Sequence, residues 1–221
     1  MPLKLGSTSI GSLYLGSTKI AEAWRGNVKV YGAAAPDPFN PLGLPPYTVR
    51  ILLNDKTKTP NMGVSQTFVG EGSGMYITGN IWDITMQYPW EYLFNSYDPG
   101  AWEILGANAT GISSFDGFCQ MATNLLTCPI FDTRDGESFR NMFEQCSALD
   151  RVPRFPFLDA EYRNPDVSRM FYNCHRAQGA LDLYDQLSHL DIESTKHVDT
   201  FYGCPSSDTQ YIPQSWGGTA P

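Results

Sequence analysis

Ser138-Phe139-Arg140-Asn141-Met142-Phe143-Glu144-Gln145-Cys146-Ser147-Ala148-Leu149 decides how the chain reads. Phe139, Met142, Phe143 and Cys146 fall at i, i+3, i+4 and i+7, the spacing that gathers apolar side chains on one face of a short helix. Val167, Met170, Phe171 and Cys174 repeat it, as do Phe115, Phe118, Cys119 and Ala122 upstream and His197, Thr200, Phe201 and Cys204 downstream. Trp90, Leu93, Phe94 and Tyr97 form an irregular fifth copy. Aligned on the i+4 position, the copies step by 25, 24, 28 and 30 residues. Apolar extended pieces follow the copies, Leu125 to Phe131 after one and Leu149 to Pro153 after the next. A helix plus a short strand at a period in the mid-twenties predicts an α+β chain whose main part is a short leucine-rich-repeat-like helix/strand solenoid. Residues 154–164 read as an insertion.

Outward from the repeats, the chain changes character twice. Leu5-Gly6-Ser7-Thr8-Ser9-Ile10 recurs as Leu15-Gly16-Ser17-Thr18-Lys19-Ile20, with a degenerate third copy at Arg25-Gly26-Asn27-Val28-Lys29-Val30. Gly followed by a small polar residue between alternating apolar positions signals tight hairpins, so residues 1–32 read as a small β-repeat arm. Five of the sixteen prolines lie in the eleven residues from Pro36 to Pro46, which makes 33–46 a semi-rigid linker. Residues 47–111 read as a β-rich entry, with strands over Tyr47–Leu53, Met75–Thr78 and Ile81–Met86 and an exposed loop between Lys56 and Gly74. The repeat domain occupies 112–221.

Of 221 residues, 42% are hydrophobic, enough for a core, and no apolar run approaches a membrane span. No basic-then-apolar leader follows Met1-Pro2-Leu3-Lys4, so no secretion signal is expected. The net charge of −8 argues against nucleic acid as a partner. That charge is uneven, +3 over residues 1–32 and −11 over the rest. Five cysteines without C-x-x-C indicate neither a zinc ribbon nor a closed disulfide framework. Cys146, Cys174 and Cys204 are expected as reduced, buried thiols on successive repeats.

Chemistry-bearing motifs are scarce. Asp132, Asp135 and Glu137 could form a carboxylate pair, but they fall where turn and cap residues are expected. His175 and His197 lack further ligands at metal spacing, and His197 fills a repeat position. G-x-S-x-G, P-loop and H-E-x-x-H motifs do not occur in the sequence. Asn108-Ala109-Thr110 matches a glycosylation sequon and reads as a turn. No catalytic, cofactor or metal residues are therefore assigned. The candidate ligand-facing residues are the aromatics off the repeat spacing: Phe155, Phe157, Tyr162, Tyr184, Tyr211 and Trp216. The candidate assembly contacts are Leu5, Ile10, Tyr14, Leu15, Ile20, Trp24, Val28 and Val30.

The central copies resemble BspA-type leucine-rich repeats, whose unit reads roughly V-T-x-M-x-x-M-F-x-x-C-x-x-L, as in Val167-Ser168-Arg169-Met170-Phe171-Tyr172-Asn173-Cys174. Val152-Pro153 and Phe131-Asp132-Thr133 look like the strand and exit turn of that unit. The closing Ile212-Pro213-Gln214-Ser215-Trp216-Gly217-Gly218 resembles the tail of such proteins encoded by gut bacteria and their phages. The N-terminal L-G-S-T repeats look like the decapeptide-type repeats that begin phage virion proteins. Together these resemblances imply a non-enzymatic bacteriophage virion protein of a tail, baseplate or capsid appendage, assembled in the bacterial cytoplasm without cofactor or membrane. Its arm would dock to other virion proteins or to its own copies, for example as a trimer, and its repeat domain would bind a host-surface glycan or protein. The alternatives are a bacterial surface adhesin and, last, a carbohydrate-active enzyme.

Overall fold

The computed structural model describes residues 37, 40–55, 81–86, 90–129, 133, 135–155 and 164–220, together with the backbone of strands within 4–31 and of strand 73–78. Contacts divide the chain into two units, Met1–Asp37 and Pro38–Pro221.

The first unit holds six short strands in three antiparallel hairpins: β1 (Lys4–Leu5) with β2 (Thr8–Ser9), β3 (Leu13–Leu15) with β4 (Thr18–Ile20), and β5 (Ala23–Arg25) with β6 (Val28–Tyr31). Each hairpin is its own two-stranded sheet. The side chains named above as assembly contacts lie outside the described residues, as do residues 33–36, 38 and 39 of the 33–46 linker.

The second unit opens with a five-stranded mixed sheet in the order β11-β10-β7-β9-β8. Its strands are β7 (Thr48–Leu53), β8 (Ser73–Thr78), β9 (Ile81–Thr85), β10 (Trp102–Asn108) and β11 (Leu125–Thr127), antiparallel except for the β10/β11 pair. Strand β7 alternates as the β-branched sequence predicts, with Val49, Ile51 and Leu53 buried. On its other face, Arg50 lies opposite Asp83 of β9 and grips it bidentately, Nε and Nη2 donating to the two carboxylate oxygens at 2.7 and 2.8 Å. Residues 56–72, which hold most of the expected exposed loop, and residues 156–163 fall outside the described residues.

The helix/strand solenoid is not what the chain forms. The described residues contain two short α-helices, α1 (Ala180–Leu187) and α2 (Ser206–Thr209), and neither lies on a repeat copy. The segments 90–97, 115–122, 139–146, 167–174 and 197–204 are instead hydrogen-bonded turns; β10 and β11 lie between the first three, and past β11 the described residues between them hold no strand, only isolated bridges such as Ser138 to Asp166 and Arg151 to Gln178. The reason lies in the backbone. Numbering each segment 1 to 8, the residues at positions 3 and 7 all have positive φ: Tyr92, Gly117, Asn141, Arg169 and Asp199 at one, and Ser96, Met121, Gln145, Asn173 and Gly203 at the other. An α-helix cannot continue through left-handed residues.

The alternation splits the amide groups into two sets. N–H groups at positions 4, 6 and 8 bond back three residues within their own turn, as Met142 to Phe139, Glu144 to Asn141 and Cys146 to Phe143. Those at positions 1, 3, 5 and 7 donate to the next segment, as Phe139 to Asp166, Asn141 to Ser168, Phe143 to Met170 and Gln145 to Tyr172, at 2.7–3.0 Å. Side chains at positions 1, 4, 5 and 8 still point inward, the same set an amphipathic helix would bury. Phe143, Phe171 and Phe201 therefore stack in register, 5.4 and 6.2 Å apart and within 8° of parallel.

Helix α1 follows an N-cap glycine, Gly179 at φ 90°, which has no side chain to cap the helix. Its first amides, on Gly179 and Ala180, are taken by Asp208 Oδ2 of α2 at 2.7 and 3.0 Å. A carboxylate there satisfies orphan donors and favours the positive end of the helix.

Candidate binding face

The position-8 residues form a buried column, Tyr97, Ala122, Cys146, Cys174 and Cys204. Each thiol donates to a position-5 carbonyl of the preceding turn: Cys146 Sγ to Cys119 O at 3.0 Å, Cys174 Sγ to Phe143 O at 2.9 Å and Cys204 Sγ to Phe171 O at 3.3 Å. All five cysteines are free and buried, as expected for the three repeat positions. Burial pushes every one of these thiols up, Cys204 to about 12, so none carries a thiolate nucleophile at neutral pH.

The acidic residues act as turn ties. Asp135 accepts from Gly111 N at 2.6 Å, Asp116 takes the Ser138 hydroxyl and Arg140 N, and Asp166 takes the Ser168 hydroxyl and amide. Asp132 lies outside the described residues. Asp135, Glu137, Asp166 and Lys196 line an open cleft of about 590 Å³. His175 Nδ1 meets Gly203 O at 2.9 Å, and buried His197 stacks on Trp216 with centroids 4.3 Å apart. No group of three metal-ligating side chains occurs among the described residues. Asn108 of the sequon is buried, its Nδ2 donating to Leu44 O at 2.7 Å, which leaves no place for a glycan.

Two of the proposed ligand-facing aromatics are corrected. Phe155 is buried edge-on against Phe139 and Phe171, and Trp216 is buried with its ring parallel to those of His197 and Phe201 and edge-on to Tyr184. Both sit off the repeat spacing because they fill gaps in the stack rather than serve as rungs. Tyr184 is half-buried against Trp216, Tyr211 is 62% exposed, and Phe157 and Tyr162 lie outside the described residues.

Position 6 of the turns carries a side-chain ladder that includes none of the proposed ligand-facing aromatics named above. Asn95 Nδ2 donates to Gln120 Oε1, Gln120 Nε2 to Glu144 Oε2, and Arg169 Nη2 to Glu144 Oε1, at 2.9, 2.9 and 2.7 Å. Glu144, 4% exposed, is thereby held between an amide and a guanidinium. The Arg169 guanidinium lies 4.1 Å over the Tyr172 ring, and Tyr172 stacks on Tyr202 at 5.0 Å and 17°. One side-chain ladder thus runs from an amide through an ion pair to two aromatic rings, the last of them half-exposed. Its trace in the sequence is the doublet in Phe171-Tyr172-Asn173-Cys174 and Phe201-Tyr202-Gly203-Cys204, where each core Phe is followed by a Tyr. Such a face can bind by stacking, and it offers no general acid–base pair of its own.

Comparison with known proteins returns no matching family model, no matching curated protein and no matching solved structure, so the likeness to BspA-type repeats rests on the quoted motifs alone.

Proposed function

We propose that this chain is a non-enzymatic structural protein of a bacteriophage particle, part of a tail, baseplate or capsid appendage. In this reading its N-terminal hairpins dock to the particle and its larger unit meets the host surface. The observation that carries the reading is the construction of the first unit: three separate two-stranded sheets within Met1–Asp37, none joined to another strand among the described residues. Isolated two-stranded hairpins are marginal in water, and open strand edges invite pairing with another chain. A unit built this way reaches stability by adding its strands to a partner, either a neighbouring virion protein or further copies of itself. Its +3 charge, against −11 for residues 33–221, favours an acidic partner as a secondary effect.

The test is a particle preparation from cells expressing the full chain and a variant lacking residues 1–32. Stoichiometric recovery of the full chain in purified particles, with loss of the truncated one, supports the reading. Recovery of both, or of neither, removes it; recovery in the bacterial envelope instead favours a surface adhesin.

A further inference from the structure

We infer that Tyr202 is the floor of a carbohydrate-binding site, one that stacks the apolar C–H face of a neutral pyranose. The inference deepens the reading above by naming the ligand class of the host-facing unit. At position 7, the amides of Ser96, Met121, Gln145 and Asn173 each donate to the next turn at 2.7 Å. The fifth turn breaks the series, since Gly203 N–H and Asp199 N–H have no acceptor among the described residues. The aromatic column stops at the same rung. Tyr172 carries both the Arg169 guanidinium and the stacked Tyr202 ring, whereas Tyr202 itself has no further ring partner among the described residues and remains 50% exposed. Neither glycine of the closing segment brings a side chain to it. Gly217 approaches so closely that a Cβ there would lie 2.5 Å from Tyr202 N, and Gly218 has no more room.

The next rung therefore offers an unused ring face beside an unpaired amide donor. A pyranose supplies both complements, a C–H face for the electron-rich ring and a rim of hydroxyl oxygens for the amide. Other occupants fit less well. A Lys or Arg side chain brings donors to a donor. A nucleic acid brings phosphates to a chain of net charge −8. A peptide strand would have to extend the ladder through position 5, where Phe201 N–H already bonds Trp216 O at 2.9 Å.

The experiment is saturation-transfer NMR on the full-length chain with the methyl glycosides of glucose, galactose, mannose and N-acetylglucosamine. It needs only affinities in the range of about 1 mM. At least one glycoside should receive saturation on the ring protons of a single face. Tyr202→Leu, which keeps an apolar cover but no ring, should weaken that glycoside by about tenfold or more, while Tyr202→Phe retains it and Tyr211→Ala leaves it unchanged. Should Tyr202→Leu lose its fold, the wild-type Tyr202 ring resonances must still shift on titration. Transfer to none of the glycosides, equal transfer in Tyr202→Leu, unmoved ring resonances, or binding at Tyr202 of an extended peptide instead would each overturn the assignment. Particle incorporation of Tyr202→Leu is read separately, so the site can fail while the arm's docking stands.

Discussion

The sheet and the turn stack of the larger unit are both held by backbone ladders, yet they place opposite demands on the residues in them. In the sheet, strands β7, β9 and β10 use extended backbone that any L-residue adopts, and specificity comes from alternation, with Val49, Ile51, Leu53, Ile84, Trp102 and Ile104 buried. In the stack, eight of the nine non-glycine residues with positive φ occur at positions 3 and 7. The left-handed conformation costs about 1–2 kcal/mol at each. Fold specificity there is bought with strain that the ladder bonds and the aromatic columns must offset. The stack should therefore be the region most sensitive to loss of its interior.

The largest expected effect follows from that contrast. Phe143→Ala and Phe171→Ala each remove a fully buried ring from a continuous column, and should cost about 3–5 kcal/mol by urea unfolding. An unchanged midpoint for either would mean the column does not hold the stack together. The next effect separates the two regions by backbone alone. Gln145→Val places a β-branched residue at φ 60° and should cost about 2 kcal/mol, whereas Ile81→Val at the start of β9 should cost well under half that. If the two substitutions cost the same, left-handed geometry is not what distinguishes the stack.

How far the sequence reveals this follows from the same geometry. Periodicity finds Phe139, Met142, Phe143 and Cys146 because a helix and an alternating turn bury the same positions. It misassigns the backbone because the left-handed sites carry Tyr, Ser, Met, Asn, Gln, Arg and Asp, and only Gly117 and Gly203 announce them. Strand β10 escapes notice because its register shifts between Ile104 and Gly106, breaking the alternation. Helix α1 escapes because its cap is Asp208, 29 residues beyond Gly179. The position-6 face was legible as the Phe-Tyr doublet, but its value depends on where the ladder ends, and that is set by the close approach of Gly217.

A third effect is set by pH and belongs to the stack. Burial raises the Cys204 thiol from its ordinary 9.0 to about 12 in the folded chain, while unfolding restores the ordinary value. Below pH 9.0 both states hold the proton and the thiol's contribution is complete. Above it the unfolded state releases the proton and the folded state does not, so stability falls as pH rises towards 12. The loss from this one thiol should be about 1.4 kcal/mol by pH 10. Unfolding free energies of wild type and Cys204→Ala, measured under reductant at pH 8 and pH 10, should therefore converge at the higher pH. A constant gap would show that Cys204 ionises as freely in the fold as outside it.

The smallest effect tests a contact that joins the end of the stack to helix α1. Asp208 Oδ2 accepts from Gly179 N and Ala180 N, two orphan donors that Gly179 cannot satisfy with a side chain of its own. Asp208→Ala removes the acceptor and should cost about 1 kcal/mol, as other cap losses do. Asp208→Asn keeps an oxygen acceptor and loses the charge, so it should recover most of that energy and leave a few tenths for the helix dipole, on the order of 0.3 kcal/mol. The ordering of the two variants carries the argument. An Asn that costs as much as Ala would mean the charge, not the hydrogen-bond acceptor, holds the helix to the stack. Amide exchange at Gly179 and Ala180 decides between them, since only loss of the acceptor should open those two amides while Leu183 N–H, bonded to Gly179 O at 3.3 Å, keeps its protection.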